Sequence, residues 1–248
     1  MQRRSIAFLL PNFFTASSIF AGVYSSVFAI DGRYELAAWM IFVSLVFDGL
    51  DGRVARLTNT CSRFGVEFDS LADIVAFGMA PALLLYLYAG HDFGRFGILA
   101  SALYVVFGAI RLARFNVMTS QTEPSVFIGV PIPTAAVFLA VSILLFEKYP
   151  SLEPYRWLLL TAALGVSLLM VSNIRYPSFK KVNLHVVNLK RVLVALLVAA
   201  SGIFLYPIEG FATLFLVYLL YGPVRGAWYF YKRYALLRRY RNRHRKRQ

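Results

Sequence analysis

Four aspartates, Asp48, Asp51, Asp69 and Asp73, form two pairs whose members are three and four residues apart. In a helix, both spacings place the two carboxylates of a pair on one face. Apolar runs flank both pairs, so the carboxylates fall at membrane depth, where each costs roughly 2.5–3.5 kcal/mol unless it is neutralised. Divalent cations that prefer oxygen ligands, such as Mg²⁺, Mn²⁺ or Ca²⁺, are the simplest partners for such a group. The sequence therefore predicts a metal site formed by all four aspartates.

The residues around the aspartates favour a phosphorylated ligand. Gly52 and Gly65 lack a Cβ, so a bulky group or a neighbouring helix can approach the backbone there. Ala55 is also small, and Arg56 offers the planar fork of donors that suits a phosphate group. Together these residues predict metal-assisted phosphoryl transfer, in which two cations bridge a diphosphate and one carboxylate serves as general base.

Two other interpretations of the aspartates remain open. They could pair with Arg53, Arg56 and Arg63 as buried salt bridges, although three arginines cannot neutralise four aspartates and also leave one for phosphate. A membrane cation transporter would also carry intramembrane acids, although it would not need the surrounding glycine, alanine and arginine.

The composition predicts an all-α, polytopic membrane protein. Of 248 residues, 59% are hydrophobic and only 15% are charged, against roughly 25% in a soluble domain. The mean hydropathy is +0.62. The net charge of +14 comes from basic residues that cluster between apolar runs and near the C-terminus, which indicates an anionic membrane surface and no nucleic acid. A single cysteine, Cys61, excludes an internal disulfide and a thiolate metal site.

Eight membrane helices are predicted, at residues 11–29, 34–57, 67–89, 95–115, 131–146, 155–172, 189–206 and 209–230. The second and third reach membrane-spanning length only if their acidic residues are included, so the aspartates lie inside helices near one membrane face. We expect one transmembrane catalytic domain over residues 1–230 and a basic tail over residues 231–248. The tail is either solvated and partly disordered or bound to anionic lipid headgroups.

The lysines and arginines predict the orientation in the membrane. Most fall on the side of the acidic motif and of both termini, and only Arg33, Arg95, Lys148 and Arg156 fall on the other side. The positive-inside rule therefore places the motif and both termini in the cytoplasm. The N-terminal apolar run lacks a convincing cleavage site and is interrupted by Pro11 and Asn12, so we expect it to be retained.

The acidic motif as a whole resembles that of a known enzyme family. The pattern Asp48-x2-Asp51-Gly52-x2-Ala55-Arg56-x8-Gly65-x3-Asp69-x3-Asp73 resembles the full motif of the CDP-alcohol phosphotransferases, with all eight positions at the family's spacing. The resemblance implies transfer of the phosphatidyl group of CDP-diacylglycerol, or a related group of a CDP-alcohol, to a hydroxyl, with release of CMP. It also implies that Asp48, Asp51 and Asp69 bind metal, whereas Asp73 is the base and touches the second metal.

The same resemblance implies a nucleotide site beside the metals. Gly52, Ala55 and Arg56 would line the cytidine diphosphate site. The start of the first helix either caps that helix or reaches the nucleotide, and the resemblance favours the nucleotide. The expected ligands of the CDP group are Pro11, Asn12, Thr15, Gly52, Ala55, Arg56 and Gly65.

Four further stretches resemble one branch of the family, the membrane-embedded phosphatidylserine synthases of bacteria and archaea: residues 10–15, 111–116, 129–136 and 175–180. Arg111 and Arg114 share a helix face at the depth of the aspartates, where they could hold the carboxylate of a serine acceptor with help from Asn116. Alternatively, both arginines snorkel to the interface. Tyr176 and Lys180 are interpreted as interface anchors. Pro131 and Pro133 either begin a helix or shape an entrance.

We therefore expect a phosphatidylserine synthase that joins L-serine to the phosphatidyl group of CDP-diacylglycerol within the lipid bilayer. Its cofactor would be Mg²⁺ or Mn²⁺ at a two-metal site, where Ca²⁺ could substitute in a crystal. The resemblance implies a homodimer, and we expect a multi-pass protein of the cell (inner) membrane. The same chemistry with glycerol 3-phosphate or inositol phosphate remains open, but a dianionic acceptor should need a denser basic pocket than Arg111 and Arg114 provide.

Overall fold

The computed structural model describes residues 2–119, 127–176 and 189–245. The α-helices within these ranges are α1 (Gln2–Ile30), α2 (Tyr34–Leu57), α3 (Arg63–Asp73), α4 (Ala80–Tyr88), α5 (Arg95–Thr119), α6 (Ile132–Lys148), α7 (Trp157–Val171), α8 (Leu189–Leu205) and α9 (Pro207–Arg245). A π-helical segment, Ile74–Met79, joins α3 to α4, so that Arg63–Tyr88 is one continuous helix. Two short strands, β1 (Phe127–Ile128) and β2 (Arg175–Tyr176), pair antiparallel. The predicted all-α class is confirmed.

Four helical segments in the described ranges are long and apolar enough to cross a membrane: Leu9–Ile30, Arg63–Tyr88, Arg95–Met118 and Pro207–Gly226. The helices α6, α7 and α8 have 17, 15 and 17 residues and fall short of the roughly 20 that a perpendicular span needs. The charged residues at the end of α2 make this helix more polar than an ordinary span. Each of the eight predicted helices has a counterpart in the described residues, and the chain is a multi-pass membrane protein.

The predicted helix ends differ most from the structure at α1 and α9. Pro11 lies inside α1, although its missing N–H removes one backbone hydrogen bond there. The helix α9 continues to Arg245, so the described part of the predicted tail is helical, which corrects its interpretation as partly disordered. Arginine, lysine, leucine and alanine dominate this part and are all good helix formers. Residues 246–248 lie outside the described ranges.

Small residues let α1 approach its neighbours closely. A Cβ added at Gly22 would lie 2.7 Å from the Cα of Ala76 in the π-helical segment. On the side facing α2, the hydroxyls of Ser18 and Ser44 are 2.7 Å apart, and Ser25 Oγ donates to the carbonyl of Ala37 at 2.8 Å. Small and hydroxyl-bearing residues are the usual contacts between membrane helices. They fix α1 against both helices that carry the aspartates.

The core beneath the aspartates joins α5 to the π-helical segment. Tyr104 of α5 is fully buried, and its hydroxyl donates to the carbonyl of Phe77 at 3.0 Å. A π-helical turn breaks the regular pattern of backbone hydrogen bonds, so a side chain can use a carbonyl there. This bond holds α5 against the helix that carries Asp69 and Asp73.

Candidate active site

Asp48, Asp51 and Asp69 converge where the end of α2 meets α3. One carboxylate oxygen of each lies within 4.8 Å of the corresponding oxygens of the other two. The two pairs meet because the chain reverses between α2 and α3. A donor set made only of carboxylate oxygens suits a hard divalent cation. Together with Asp73, we call these residues the acidic cluster.

The turn between α2 and α3 is built from short polar residues. Asn59 has a φ of +54°, in the left-handed region that asparagine tolerates better than most residues. Ser62 caps α3, because its hydroxyl accepts the backbone N–H of Gly65 at 3.0 Å. The cap fixes where α3 begins and therefore where Asp69 and Asp73 point.

Asp73 completes the acidic cluster at its most buried side. Its carboxyl group contacts that of Asp48 at hydrogen-bonding range. The side chain is 9% exposed, and its Oδ1 is buried with no hydrogen-bond partner among the described residues. Two carboxyl groups in contact need a shared proton or a cation between them. The unpartnered oxygen and the all-oxygen donor set fit a divalent metal.

Thr15 of α1 holds Asp51 in place. Its Oγ1 donates to Asp51 Oδ2 at 2.7 Å and also lies 3.2 Å from the carbonyl of Pro11. Thr15 is 3% exposed and Asp51 is 6% exposed, so this bond is shielded from water. The predicted nucleotide ligand therefore also orients a predicted metal ligand, a role that the sequence did not reveal.

A cleft of about 270 Å³ opens beside the acidic cluster. Asp51 and Asp69 reach it from the cluster side. A Cβ added at Gly65 would lie 3.2 Å from Ser62 Oγ and 3.7 Å from Asn12 Oδ1, so the glycine keeps this wall open. All the residues predicted to bind the CDP group line this cleft: Pro11, Asn12, Thr15, Gly52, Ala55, Arg56 and Gly65.

Sequence reasoning missed four further lining residues: Thr60, Cys61, Ser62 and Val66. The first three belong to the turn between α2 and α3. These three residues lie in the eight-residue spacer of the motif, between Arg56 and Gly65. They could have been predicted, because a turn that joins two helices carrying metal ligands must lie close to the metal site.

Arg111 approaches the acidic cluster from α5. It is 6% exposed and interacts electrostatically with Asp73. Its guanidinium carbon lies 5.2 Å from the centre of the Phe115 ring, and no hydrogen bond joins this guanidinium to the described residues. A buried cation without hydrogen-bond acceptors is costly. This position therefore favours an anionic ligand.

Arg114 binds the C-terminal end of α7 and its neighbours instead of the acidic cluster. Its Nη1 donates to the carbonyl of Val171 at 2.8 Å and to Asn173 Oδ1 at 3.3 Å. Its Nη2 lies 3.2–3.3 Å from the carbonyls of Ile128, Met170 and Ser172. Since these acceptors engage both terminal nitrogens, the interpretation of Arg114 as a serine ligand does not fit this geometry. Asn116 does reach the helix of the acidic cluster, where its Nδ2 donates to Ser70 Oγ at 2.9 Å.

The remaining described residues that the sequence analysis named contribute to the fold and not to the candidate site. Pro131 is the N-cap residue of α6 and Pro133 lies in its first turn, which fits the helix-start interpretation. Tyr176 is fully buried and its hydroxyl donates to the carbonyl of Leu219, so the interpretation of Tyr176 as an interface anchor is wrong. Lys180 lies outside the described residues.

The sequence of this chain is similar to those of known proteins. Residues 8–172 match the CDP-alcohol phosphatidyltransferase family. A CDP-diacylglycerol–serine O-phosphatidyltransferase of Helicobacter pylori is 51% identical over 88% of this chain and 91% of its own length. An archaetidylserine synthase of Methanothermobacter thermautotrophicus is 38% identical over 68% of this chain and 69% of its own length.

A solved structure shares the fold. It is that of the phosphatidylinositol phosphate synthase of Mycobacterium tuberculosis with CDP-DAG bound, which superposes with a TM-score of 0.51 at 20% identity. The match covers 66% of this chain and 89% of that chain. The family match spans the acidic cluster, the cleft and Arg111, and this family depends on divalent metal. The chain belongs to the CDP-alcohol phosphatidyltransferase family.

Proposed function

We propose that this chain transfers the phosphatidyl group of CDP-diacylglycerol to the hydroxyl of L-serine and releases CMP. The observation that carries the proposal is the position of the acidic cluster, between a cleft containing Arg56 and the buried guanidinium of Arg111. This arrangement suits one phosphorylated and one carboxylate substrate. The 51% identity to a CDP-diacylglycerol–serine O-phosphatidyltransferase supports serine as the acceptor.

Asp48, Asp51, Asp69 and Asp73 would hold Mg²⁺ or Mn²⁺ at a two-metal site. When bound, the cations would neutralise the diphosphate and stabilise the charge that develops on the departing CMP. Thr15 supports this site by keeping one oxygen of Asp51 turned in a fixed direction.

The cleft would bind the CDP group. Arg56 contributes a fixed fork of N–H donors for the diphosphate. A Cβ added at Gly52 would lie 4.0 Å from Arg56 Nη2, so a side chain there would narrow the space beside this guanidinium. Gly65 likewise leaves space in the cleft, beside Ser62 and Asn12. The diacylglycerol part of the substrate would remain in the bilayer.

Arg111 would bind the carboxylate of serine and so bring the serine hydroxyl next to Asp73. The serine oxygen then attacks the β-phosphorus of CDP-diacylglycerol. As the new P–O bond forms, the bond from that phosphorus to the bridging oxygen breaks, and its electron pair leaves with CMP. The hydroxyl proton passes to Asp73, whose carboxyl is close enough to interact with both Asp48 and Arg111.

The proposal also covers the domain, the assembly and the membrane in which the reaction takes place. We propose that residues 1–230 form one catalytic domain, that the chain acts as a homodimer, and that the protein lies in the cell (inner) membrane. Both termini and the acidic cluster would face the cytoplasm, because most lysines and arginines fall on that side.

Release of CMP by the purified protein tests the proposal. CDP-diacylglycerol and Mg²⁺ or Mn²⁺ are supplied with serine, glycerol 3-phosphate or inositol phosphate in separate reactions. We expect release with serine only. Release only with a phosphorylated acceptor would overturn the acceptor assignment. Absence of release in protein that still binds the cation would favour the alternative of a cation transporter.

Two substitutions test the assigned roles. Asp73→Asn should abolish turnover and leave the affinity for CDP-diacylglycerol nearly unchanged, and an active Asp73→Asn protein would exclude this residue as the base. Arg111→Gln should raise the KM for serine by about tenfold or more, because a hydrogen bond to a charged group contributes roughly 1.5–3 kcal/mol. An unchanged KM would exclude Arg111 as the carboxylate ligand.

A further inference from the structure

Thr60 lines the cleft from the turn that follows α2. Its backbone N–H donates to the carbonyl of Ala55 at 3.0 Å, and the N–H of Asn59 donates to the carbonyl of Arg56 at 3.4 Å. With Asn59 in the left-handed region, these two bonds form the motif that commonly ends an α-helix. The motif fixes Thr60 beside Ala55, which lies one helical turn beyond Asp51.

A chain of two hydroxyl groups determines the direction in which Thr60 donates its proton. Thr58 Oγ1 lies 2.8 Å from the carbonyl oxygen of Val54 and 2.7 Å from Thr60 Oγ1. A carbonyl can only accept, so the single hydroxyl proton of Thr58 is used by Val54. The bond between the two threonines is therefore donated by Thr60. The lone pairs of Thr60 Oγ1 remain, and Thr60 thus presents an acceptor with no spare proton.

The turn offers a donor as well as this acceptor. Ser62 Oγ accepts the N–H of Gly65 at 3.0 Å, and no described residue accepts the hydroxyl proton of Ser62. Ser62 lines the same cleft as Thr60, which is 7% exposed and therefore poorly reached by water. A phosphate group only accepts hydrogen bonds, so it cannot satisfy Thr60. The edge of a nucleobase carries both donors and acceptors and suits this turn.

We propose that Thr60 recognises the base of the nucleotide by accepting a hydrogen bond from the exocyclic amine of cytosine. This inference rests on the proposed function, in which the acidic cluster and Arg56 hold the diphosphate and leave the turn for the nucleoside. Cytosine carries an amino group at C4, whereas uracil carries a carbonyl at that position.

The fixed proton of Thr60 makes the contact selective. A freely rotating hydroxyl could accept from cytosine or donate to uracil, and would favour neither base. Because Thr60 has already donated to Thr58, the C4 carbonyl of uracil would meet a lone pair in a buried place. Specificity then comes from the group that the site leaves unsatisfied in the wrong ligand.

Competition by soluble nucleotides tests the inference. The inhibition constants of CMP and UMP against CDP-diacylglycerol are measured by incorporation of labelled serine into lipid. Thr60→Val keeps the branched shape and removes the acceptor. We expect the inhibition constant of CMP to rise by about tenfold in this variant, and that of UMP to change by less than about twofold, so that the preference for CMP falls.

Thr58→Val tests the chain of hydroxyls without changing Thr60. It removes the acceptor that holds the proton of Thr60, which can then donate to uracil. The inhibition constant of UMP should fall by about threefold or more, whereas that of CMP should stay within about threefold of wild type. Thr213→Val is the matched control. This exposed threonine of α9 donates to the carbonyl of Glu209 at 2.8 Å, as Thr58 does to that of Val54, and its replacement should change neither constant.

An unchanged ratio of the two inhibition constants in active Thr60→Val would overturn the inference and leave the proposed function standing. A parallel rise of both constants would also overturn it, because a damaged turn would weaken every nucleotide. The third competitor is 2′,3′-dideoxy-CMP, which lacks the ribose hydroxyls. Its inhibition constant should rise in Thr60→Val by the same factor as that of CMP, and the absence of a rise would place the contact at the ribose and overturn the inference. Failure of the proposed function appears already in the wild-type protein, as no release of CMP from CDP-diacylglycerol with any acceptor, and it would overturn both.

Discussion

Replacing Thr15 by valine should weaken metal binding without touching a metal ligand. Valine has nearly the shape of threonine and the same branching at Cβ, so α1 should keep its helix and its packing. The change removes the 2.7 Å hydrogen bond to Asp51 Oδ2 at a place where both residues are buried. Water cannot easily replace the lost donor there, and the carboxylate becomes free to rotate away from the acidic cluster.

The expected loss of metal affinity is calculated from the hydrogen bond between Thr15 and Asp51. A hydrogen bond to a charged group contributes roughly 1.5–3 kcal/mol, and loss of a partner that orients a metal ligand typically costs 10–100-fold in metal affinity. Because a tenfold change equals about 1.4 kcal/mol, the two ranges agree. We expect the Kd for Mn²⁺ to rise by about 10–100-fold in Thr15→Val.

Titration of Mn²⁺ into the purified protein, followed by electron paramagnetic resonance, measures this affinity without turnover. Thr15→Ser keeps the hydroxyl and should stay within about threefold of wild type. Ser17→Ala is the matched control on the same helix, since this partly buried serine donates to the carbonyl of Phe13, at 2.8 Å, and to no residue of the acidic cluster. An unchanged Mn²⁺ affinity in Thr15→Val would refute the assignment of Asp51 as a metal ligand oriented by Thr15.

Three further predictions follow from the geometry. Arg114→Gln should lower the melting temperature in detergent by at least about 4 °C, because the end of α7 loses several hydrogen bonds, while the KM for serine changes less than in Arg111→Gln. A KM for serine that rises as much as in Arg111→Gln, with an unchanged melting temperature, would restore Arg114 as a substrate ligand. Gly129→Ala should destabilise the protein by about 1–3 kcal/mol, since its φ is +76° and an added Cβ would lie 2.2 Å from the carbonyl oxygen of Met170; Gly165→Ala, where nothing lies within 4 Å of an added Cβ, is the control in the same thermal melt. Removal of divalent metal by EDTA should abolish CMP release, and Mg²⁺ or Mn²⁺ should restore it; release that persists after dialysis against EDTA would contradict the metal site.

Much of the fold could be predicted because apolar runs and charges determine where membrane helices begin and end. The prediction for α2, residues 34–57, coincides with the helix observed. The convergence of Asp48, Asp51 and Asp69 could also be predicted, since helical spacing places each pair on one face and a short turn joins the two helices. The residues assigned to the CDP group came from the family resemblance, and the structure brings them into one cleft.

The contacts that depend on distant parts of the chain could not be predicted. Arg111 and Arg114 are the same residue type, three positions apart, and the sequence does not say which of them faces the acidic cluster. That is decided by carbonyl groups at the C-terminal end of α7, 56–58 residues further along the chain from Arg114. From the sequence, Tyr176 likewise resembles an interfacial tyrosine. In the structure, Gly222 of α9 packs against its ring. Hydropathy carries no information about such pairings.

The π-helical segment Ile74–Met79 determines how the side chains after it are rotated about the helix axis relative to those before it. An α-helix turns about 100° per residue, so a widened turn shifts every following side chain around the axis relative to Asp73. If the same residues formed a regular α-helix, the hydropathy of the span would be unchanged. In that helix, either the acidic pair or the core-facing Leu84 and Leu85 would point about 100° away from their partners. The widened turn thus fixes the rotation of Asp69 and Asp73 relative to the core-facing leucines, so the backbone conformation of residues 74–79 matters here more than their hydropathy.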